Sequence, residues 1–191
     1  MHIVSKAFLV VVAASFTLWP TALRSGDQPA CTDVAKVDFA NIAINVPEEG
    51  PVQLKDGKGH TAKIVTDGKD LGSEWEVTIE YDSILNPAPG VTLRLINLNV
   101  DHLLGSGGWG YAFIYACKEG RLHRIFQSVG HLYGVELKKI SETSFTIHYG
   151  VYLKGDANCC PSMKATDTYS WDGREGTFKR SKSIKRPAKD E

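Results

Sequence analysis

The chain has 191 residues, of which 42% are hydrophobic, and it contains 22 basic and 22 acidic residues. That length is enough for one domain with a real core. Two cations lie in the first 25 residues, and six cations and two acids lie from residue 179 onward, which leaves 14 basic and 20 acidic residues in between. Because an acidic body repels polyanions, this balance argues against nucleic acid as a partner.

The first 25 residues have the plan of a secretory signal peptide. A short segment with one fixed positive charge, Lys6, precedes an apolar run over 7–18, and Trp19-Pro20 ends the run. The run is too short to span a bilayer comfortably, and no second run of spanning length follows. Cys31 lacks the apolar and small residues that precede a lipid-attachment cysteine. We therefore expect a soluble protein, exported to the periplasm or secreted, without a lipid anchor or a transmembrane span.

From residue 37 onward, short apolar or alternating runs are separated by Gly, Asp, Asn and Pro. Valine, isoleucine, threonine and aromatic residues dominate the runs, which is typical of β-strands. In the run from Trp75 to Tyr81, alternation places the apolar residues on one face, while Glu76 and Glu80 share the polar face expected of a solvated edge. The candidate strands are 37–44, 60–66, 75–81, 91–98, 111–117, 122–129, 135–140 and 144–153.

The connections between these runs are short. Lys118-Glu119-Gly120, Ser141-Glu142-Thr143 and Asp172-Gly173 all read as hairpin turns. Consecutive hairpins imply antiparallel neighbours, because parallel pairs need a longer crossover. We predict a mainly β monomer, in which residues 26–178 form a single antiparallel meander curled into a sandwich or an open barrel, with little helix. The basic segment 179–191 is predicted to be a flexible, solvated tail.

The glycine-rich segment at 104–110, LGSGGWG, is the first candidate for binding. A dinucleotide-binding loop needs a helix after its glycines, whereas a strand is predicted here, so we expect no cofactor. An exposed tryptophan beside flexible glycines can stack on a sugar or a peptide. Two interpretations stay open: a tightly curved or mobile strand connection, or a ligand surface at the rim of the sheet, with cell-wall polymer or an envelope protein as the expected partner. Its residues are Gly107, Gly108, Trp109 and Tyr111.

No catalytic set is readable in the sequence. The chain has no G-x-S-x-G motif, and the paired carboxylates Glu48-Glu49 lie in a proline-glycine turn rather than on facing strand ends. His131 and His148 match no zinc-binding spacing. The sequence therefore predicts a non-enzymatic binding or interaction protein without a metal.

The order of these parts is similar to that of a known group of proteins. The segments that carry the likeness are QLKDGK (53–58), WEVTIEYD (75–82), the glycine loop (104–122), GDANCCPS (155–162) and TYSWDG (168–173). In this order the chain resembles bacterial exported proteins and lipoproteins of unknown function, of the LppP/LprE type. The most specific elements are CCPS and the aromatic-DG hairpin after it. The resemblance implies a topology and a compartment, but no chemistry.

The four cysteines, Cys31, Cys117, Cys159 and Cys160, are expected to form disulfides in an exported protein, and they allow three pairings. A Cys31–Cys117 bond would close a loop of about 85 residues, worth about 4–5 kcal/mol in the chain-entropy model. Strain disfavours a bond between the adjacent cysteines, because their Cα atoms are only about 3.8 Å apart. The resemblance, in contrast, favours that adjacent bond. We expect Cys31–Cys117 with Cys159–Cys160, and the crossed pairings stay open.

A thiol-redox protein is the competing hypothesis, because a strained disulfide between Cys159 and Cys160 would be reduced easily. Thioredoxin-like enzymes, however, place a C-x-x-C motif at the start of a helix, which lowers the pKa of the attacking thiol. Here Pro161 and Ser162 are turn residues and no helix follows. A structural role is therefore favoured, and an insulin-reduction assay with dithiothreitol separates the two hypotheses.

Overall fold

The computed structural model describes residues 29–188, apart from 48, 62, 67, 104–106, 132–134 and 158–159. The predicted signal peptide and the last three residues of the basic segment lie outside the described residues. Two short 3-10 turns, Val34–Lys36 and Phe39–Asn41, precede the strands. The strands are β1 (Ala43–Val46), β2 (Gly50–Gln53), β3 (Lys58–His60), β4 (Lys63–Thr66), β5 (Lys69–Ser73), β6 (Trp75–Ala88), β7 (Val91–His102), β8 (Gly108–Lys118), β9 (Arg121–His131), β10 (Val135–Ser141), β11 (Ser144–Val151), β12 (Met163–Asp172) and β13 (Thr177–Pro187).

Five strands form the first sheet, in the order β3-β6-β7-β8-β9, and every neighbouring pair is antiparallel. β6 to β9 follow one another along the chain, so the predicted antiparallel meander is confirmed here. At the β8–β9 turn, Glu119 has a φ of 50° and Gly120 a φ of 75°. A tight two-residue hairpin turn requires this left-handed pair, and glycine adopts it without strain.

The remaining long strands form the second sheet, in the order β10-β11-β12-β13, which is also antiparallel. It packs over one face of the first sheet, so the described residues form a sandwich rather than a closed barrel. Aromatic rings fill much of the contact layer: Phe145 stacks on Tyr169 with ring centroids 5.1 Å apart. The buried residues of this inner layer are Leu85, Leu93, Leu95, Ala112, Ile114, Ala116, Val135, Leu137, Phe145, Ile147 and Phe178.

The opposite face of the first sheet is covered by the described residues of 29–54, here called the N-terminal cover. Phe39 is 1% exposed, and its ring centroid lies 5.0 Å from that of Tyr115. Two arginines of the sheet hold the backbone of this cover. Arg94 Nη1 donates to the Ala35 carbonyl and Arg124 Nη1 donates to the Asn45 carbonyl, each at 2.9 Å. The cover contributes Cys31, Val34, Phe39, Ile44, Val46, Val52 and Leu54 to a second buried layer.

A disulfide joins Cys31 of the N-terminal cover to Cys117 near the end of β8, with Cα atoms 5.4 Å apart and a sequence separation of 86. This confirms the expected pairing and excludes the crossed ones. Next to it, the amide of Cys31 donates to the Gly120 carbonyl at 2.9 Å, and the amide of Leu122 donates to the Pro29 carbonyl at 3.1 Å. The cover is therefore attached at its beginning to the β8–β9 hairpin.

The prediction of a flexible tail from residue 179 is wrong for the part that the structure describes. Residues 179–187 belong to β13, which pairs with β12 along its whole length. Arg180 Nη1 donates to Asp167 Oδ2 at 3.2 Å, and Asp167 is only 3% exposed. Backbone pairing and this bond to a buried carboxylate hold the basic segment in the fold, so the domain extends beyond residue 178.

Two strand predictions near the N-terminus are also wrong. The run 37–44 contains a 3-10 turn, and β1 takes up only its last two residues. Asn41 Nδ2 donates to Asp38 Oδ2 at 2.8 Å, a local side-chain bond that stabilises a turn instead of a ladder. The run 60–66 is divided between β3 and β4, which belong to different sheets.

Candidate functional site: a polar groove between the sheets

One face of the first sheet changes from apolar to polar along β7. Leu93 and Leu95 are buried beneath the second sheet, and Asn97, Asn99 and Asp101 continue the same face toward the end of the strand. Asn97 is 3% exposed, whereas Asp101 is exposed to solvent. The apolar half of this face is covered by the second sheet, and the polar half borders a groove.

β8 places glycines beside this polar half. The register pairs Asp101 with Gly108 and Asn99 with Gly110. A Cβ atom at Gly108 would lie 2.5 Å from the Val100 carbonyl oxygen, so a larger residue would require the backbone to move. Because Gly108 has no side chain, the sheet backbone itself lines the groove at this position.

A β-bulge in β6 adds polar groups from a third strand. Ile79 pairs with Leu98 and Tyr81 pairs with Asn97, which leaves Glu80 as the extra residue. Bulges bend a strand and re-aim its side chains. Glu80 and Tyr81 consequently both line the groove.

The bulge also changes the side of the sheet that the residues of β6 after Ile79 face. Val77 and Ile79 pack with the N-terminal cover, but Tyr81 packs with the second sheet on the opposite side. The prediction of one continuous apolar face from Trp75 to Tyr81 is therefore wrong after Ile79. β6 is an interior strand between β3 and β7, not a solvated edge.

The edge strand β10 closes the groove from the side of the second sheet. The amide of Leu137 donates to Asn97 Oδ1 at 2.8 Å, and the amide of Lys139 donates to the Tyr81 hydroxyl at 3.3 Å. An edge strand has unpaired amides on its outer side, and here two of them bond to side chains of the first sheet. These bonds position the two walls relative to each other.

The groove has a volume of about 670 Å³, within the range of small-ligand sites. Its carboxylates, Glu80, Asp101 and Glu136, are exposed at its mouth, and Lys138 is its one basic lining residue. Asn99 Nδ2 donates to Asp101 Oδ2 at 2.7 Å, which holds that carboxylate along the wall. The full lining is Glu80, Tyr81, Asn97, Asn99, Asp101, Gly108, Val135, Glu136, Leu137 and Lys138.

The side chains that line the groove favour cations that can donate hydrogen bonds. Carboxylates accept hydrogen bonds and attract positive charge, while Val135 and Leu137 supply an apolar patch at the inner end. Within the described ranges, no three His, Cys, Asp or Glu side chains converge in the way that a metal site requires.

The predicted ligand segment, Gly107 to Tyr111, is divided between the two faces of the sheet. Gly108 lines the groove, but Tyr111 is 2% exposed and its hydroxyl donates to the Pro47 carbonyl at 3.1 Å, so its predicted place at the rim is wrong. Trp109 is half-buried, and its ring centroid lies 4.5 Å from that of Trp75. Strand alternation turns the aromatic rings away from the groove.

The loop that carries the adjacent cysteines is organised by Asp156. Its carboxylate accepts hydrogen bonds from the amides of Leu153 (2.7 Å) and Ser162 (2.8 Å), and also from the Ser162 hydroxyl. These bonds, that of the hydroxyl above all, lower the pKa of Asp156. Cys160 is disulfide-bonded, and Cys159 lies outside the described residues, so the Cys159–Cys160 bond stays a prediction.

Comparisons with protein-family models, with curated proteins and with solved structures found no match to this chain. The resemblance to the LppP/LprE type therefore stays a prediction. Among the described residues, no helix has the length and apolar character needed to cross a bilayer.

Sequence reasoning missed the groove, although β7 carries a signal for it. The strand reads VTLRLINLNVDH, and Asn97, Asn99 and Asp101 interrupt an otherwise apolar face at every second position. Three polar residues in one period-2 row indicate a polar wall. Their meeting with Glu80 and Glu136 depends on the bulge and on the second sheet, which no local pattern encodes.

Proposed function

We propose that this chain is an exported, non-enzymatic binding protein whose ligand is a small organic cation held in the groove between the sheets. The observation that carries the proposal is that Glu80, Asp101 and Glu136 all line one groove, whose wall includes Asn97 and Asn99. The buried Asn97, whose Oδ1 is fixed by the Leu137 amide, keeps that wall in one geometry. A preformed site of this kind loses little free energy to ordering when it binds.

The charge of the groove supports a cationic ligand. Three carboxylates and one lysine line it, so a positively charged group is attracted at long range and then bonded at short range. The apolar side chains of Val135 and Leu137 at the inner end favour a ligand with a short hydrocarbon part, such as an alkylamine or a lysine-rich peptide. Exposed carboxylates are screened by salt, so the affinity falls as ionic strength rises.

The Cys31–Cys117 disulfide supports export, because structural disulfides form and persist in oxidising compartments. A binding role, and not a redox role, is also supported by the loop of the adjacent cysteines. Asp156 ties Leu153 to Ser162 across that loop, as expected of a fixed structural connection. The thiol-redox role of Cys159 and Cys160 is the competing proposal.

The test is calorimetric titration of the protein with spermidine and with tetralysine. We expect binding by at least one probe, and a double variant, Glu80→Gln with Asp101→Asn, should weaken it about tenfold through the loss of two charge contacts. The matched control is Asp38→Asn with Glu119→Gln. It removes the same charge from the N-terminal cover and from the far end of β8, and it should leave binding within about twofold.

Absence of binding by both probes would contradict the cationic ligand. Equal weakening by both double variants would show that the net charge, not the groove, attracts the probes.

A further inference from the structure

We infer that the outer face of the second sheet, the face turned away from the first sheet, binds a linear polyanionic glycan. This inference concerns the outward side of β10–β13 and a ligand of opposite charge, and its test leaves the groove carboxylates unchanged. Lys138 and Glu136, on the edge strand β10, border both surfaces. Its basis is that the basic segment 179–187 is an ordered strand. The cations of that segment thereby occupy fixed positions beside those of the neighbouring strands.

The register of the sheet defines this outer face. Ile147 and Asp167 are buried cross-strand partners, so their neighbours along β11 and β12 point outward. One outward row runs across all four strands, through residues that the pairing places side by side. The row is Lys138, Thr146, Thr168 and Lys182.

Short hydroxyl side chains occupy the middle of the face and long cations its borders. β11 and β12 present Thr146, His148, Thr166, Thr168 and Ser170, all half-buried, and His148 Nδ1 lies 2.9 Å from Thr166 Oγ1. The cations lie on β10, on β13 and at the beginning of β12. The two outer strands are three strand spacings apart, about 14 Å. The result is a hydroxyl-lined trough along β11 and β12 with cations on both sides.

The charge of this face is positive. Its exposed cations are Lys138, Lys164, Lys182 and Arg186, and the acidic strand residues of this face in the described register are Glu136 and Asp172, of which Asp172 pairs with Lys179. Lys138, Lys182 and Arg186 form no ion pair with any residue that the structure describes. By contrast, Lys179 at the hairpin end is held by Asp172 at 2.8 Å and does not contribute. Lys138, Lys182 and Arg186 are therefore able to receive anionic groups.

The side chains of this face favour a glycan over nucleic acid or a membrane as the anionic ligand. Binding of single-stranded nucleic acid relies on exposed aromatic rings for stacking, but the rings of Phe145, Tyr149, Tyr169 and Trp171 pack in the inner layer. Membrane insertion relies on several exposed apolar side chains, and among the described residues of this face Ile140 alone is an exposed large hydrophobic residue. Threonine and serine hydroxyls, in contrast, both donate to and accept from sugar hydroxyls.

The probe is a heparin octasaccharide, with maltooctaose as the uncharged counterpart, titrated at low ionic strength. We expect the octasaccharide to bind, maltooctaose not to bind, and the affinity to fall steeply with added salt. The triple variant Lys164→Gln, Lys182→Gln, Arg186→Gln should weaken binding about tenfold. The matched control Lys55→Gln, Lys58→Gln, Lys118→Gln removes three exposed cations elsewhere and should change the affinity by less than about twofold.

A second variant tests the trough without changing charge. Thr168→Tyr fills its centre with a residue that suits a strand, so it should fold and should weaken octasaccharide binding severalfold. An equal loss of octasaccharide affinity in both triple variants, or no effect of Thr168→Tyr, would contradict binding in the trough. Tighter binding of oligothymidylate, or of vesicles containing phosphatidylglycerol, with the same dependence on the triple variant would overturn the choice of a glycan. Spermidine binding should be unchanged in these variants, which separates this test from that of the groove.

Discussion

The two layers that cover the first sheet are built in different ways. The N-terminal cover is largely irregular: it contains two 3-10 turns and one short hairpin, and it is held by a disulfide and by arginine bonds to its carbonyl groups. The second sheet is a regular meander, and it is held by a continuous apolar layer and by the Asn97 and Tyr81 bonds to β10.

This difference shows which contacts each layer depends on. An irregular segment lacks the continuous backbone hydrogen bonds of a β-sheet. In the N-terminal cover, the disulfide and the arginine side chains hold the backbone in their place. The central strand β8, covered on both faces, is accordingly a nearly continuous apolar run, whereas β11, covered on one face, alternates. The polar groove lies where the second sheet ends.

Removing the disulfide should have the largest effect. The double variant Cys31→Ala, Cys117→Ala should lower the free energy of unfolding by about 4 kcal/mol, because a closed loop of this size restricts the unfolded chain strongly. Urea unfolding measures the change, and limited proteolysis should cut the N-terminal cover first. Thr146→Val on the outer face is the control, with an expected change within about 0.5 kcal/mol. A loss below about 1 kcal/mol would mean that the arginine bonds suffice to hold this cover.

Breaking the contact between Asn97 and β10 should have an intermediate effect. Asn97→Ala leaves the Leu137 amide without its acceptor in a buried position, which should cost about 1–3 kcal/mol. Asn99→Ala, two residues along the same face, is the matched control and should cost less than about 0.5 kcal/mol. Similar values for the two variants would contradict the role given to Asn97 in positioning the sheets.

The smallest effect is expected in the longest connection of the second sheet, which contains Asp156. Its folded-state pKa lies below the ordinary value of 3.8, so its contribution is present above that pH and is lost as the pH falls below it. Asp156→Asn should therefore flatten the loss of stability measured by urea unfolding at acidic pH. Glu119→Gln, at an exposed turn, should leave the acid dependence in place. An unchanged pH profile in Asp156→Asn would refute this assignment.

Local patterns in the sequence were sufficient for the strand class and for the hairpins. The alternation in β11 and the turn at Glu119-Gly120 are set by side-chain direction and by backbone freedom, which act over a few residues. The Cys31–Cys117 pairing, in contrast, was favoured by the resemblance to other exported proteins, because the cysteine content alone left three pairings open.

Only the tertiary structure decided the rest. The basic segment forms β13 because it pairs with the edge of β12. Phe39 lies in a 3-10 turn because its side chain is buried against the first sheet. The groove exists because a bulge at Glu80 and the limited reach of the second sheet leave half of one face uncovered. Each of these outcomes depends on contacts between residues far apart in the chain, and no pattern within one segment carries that information.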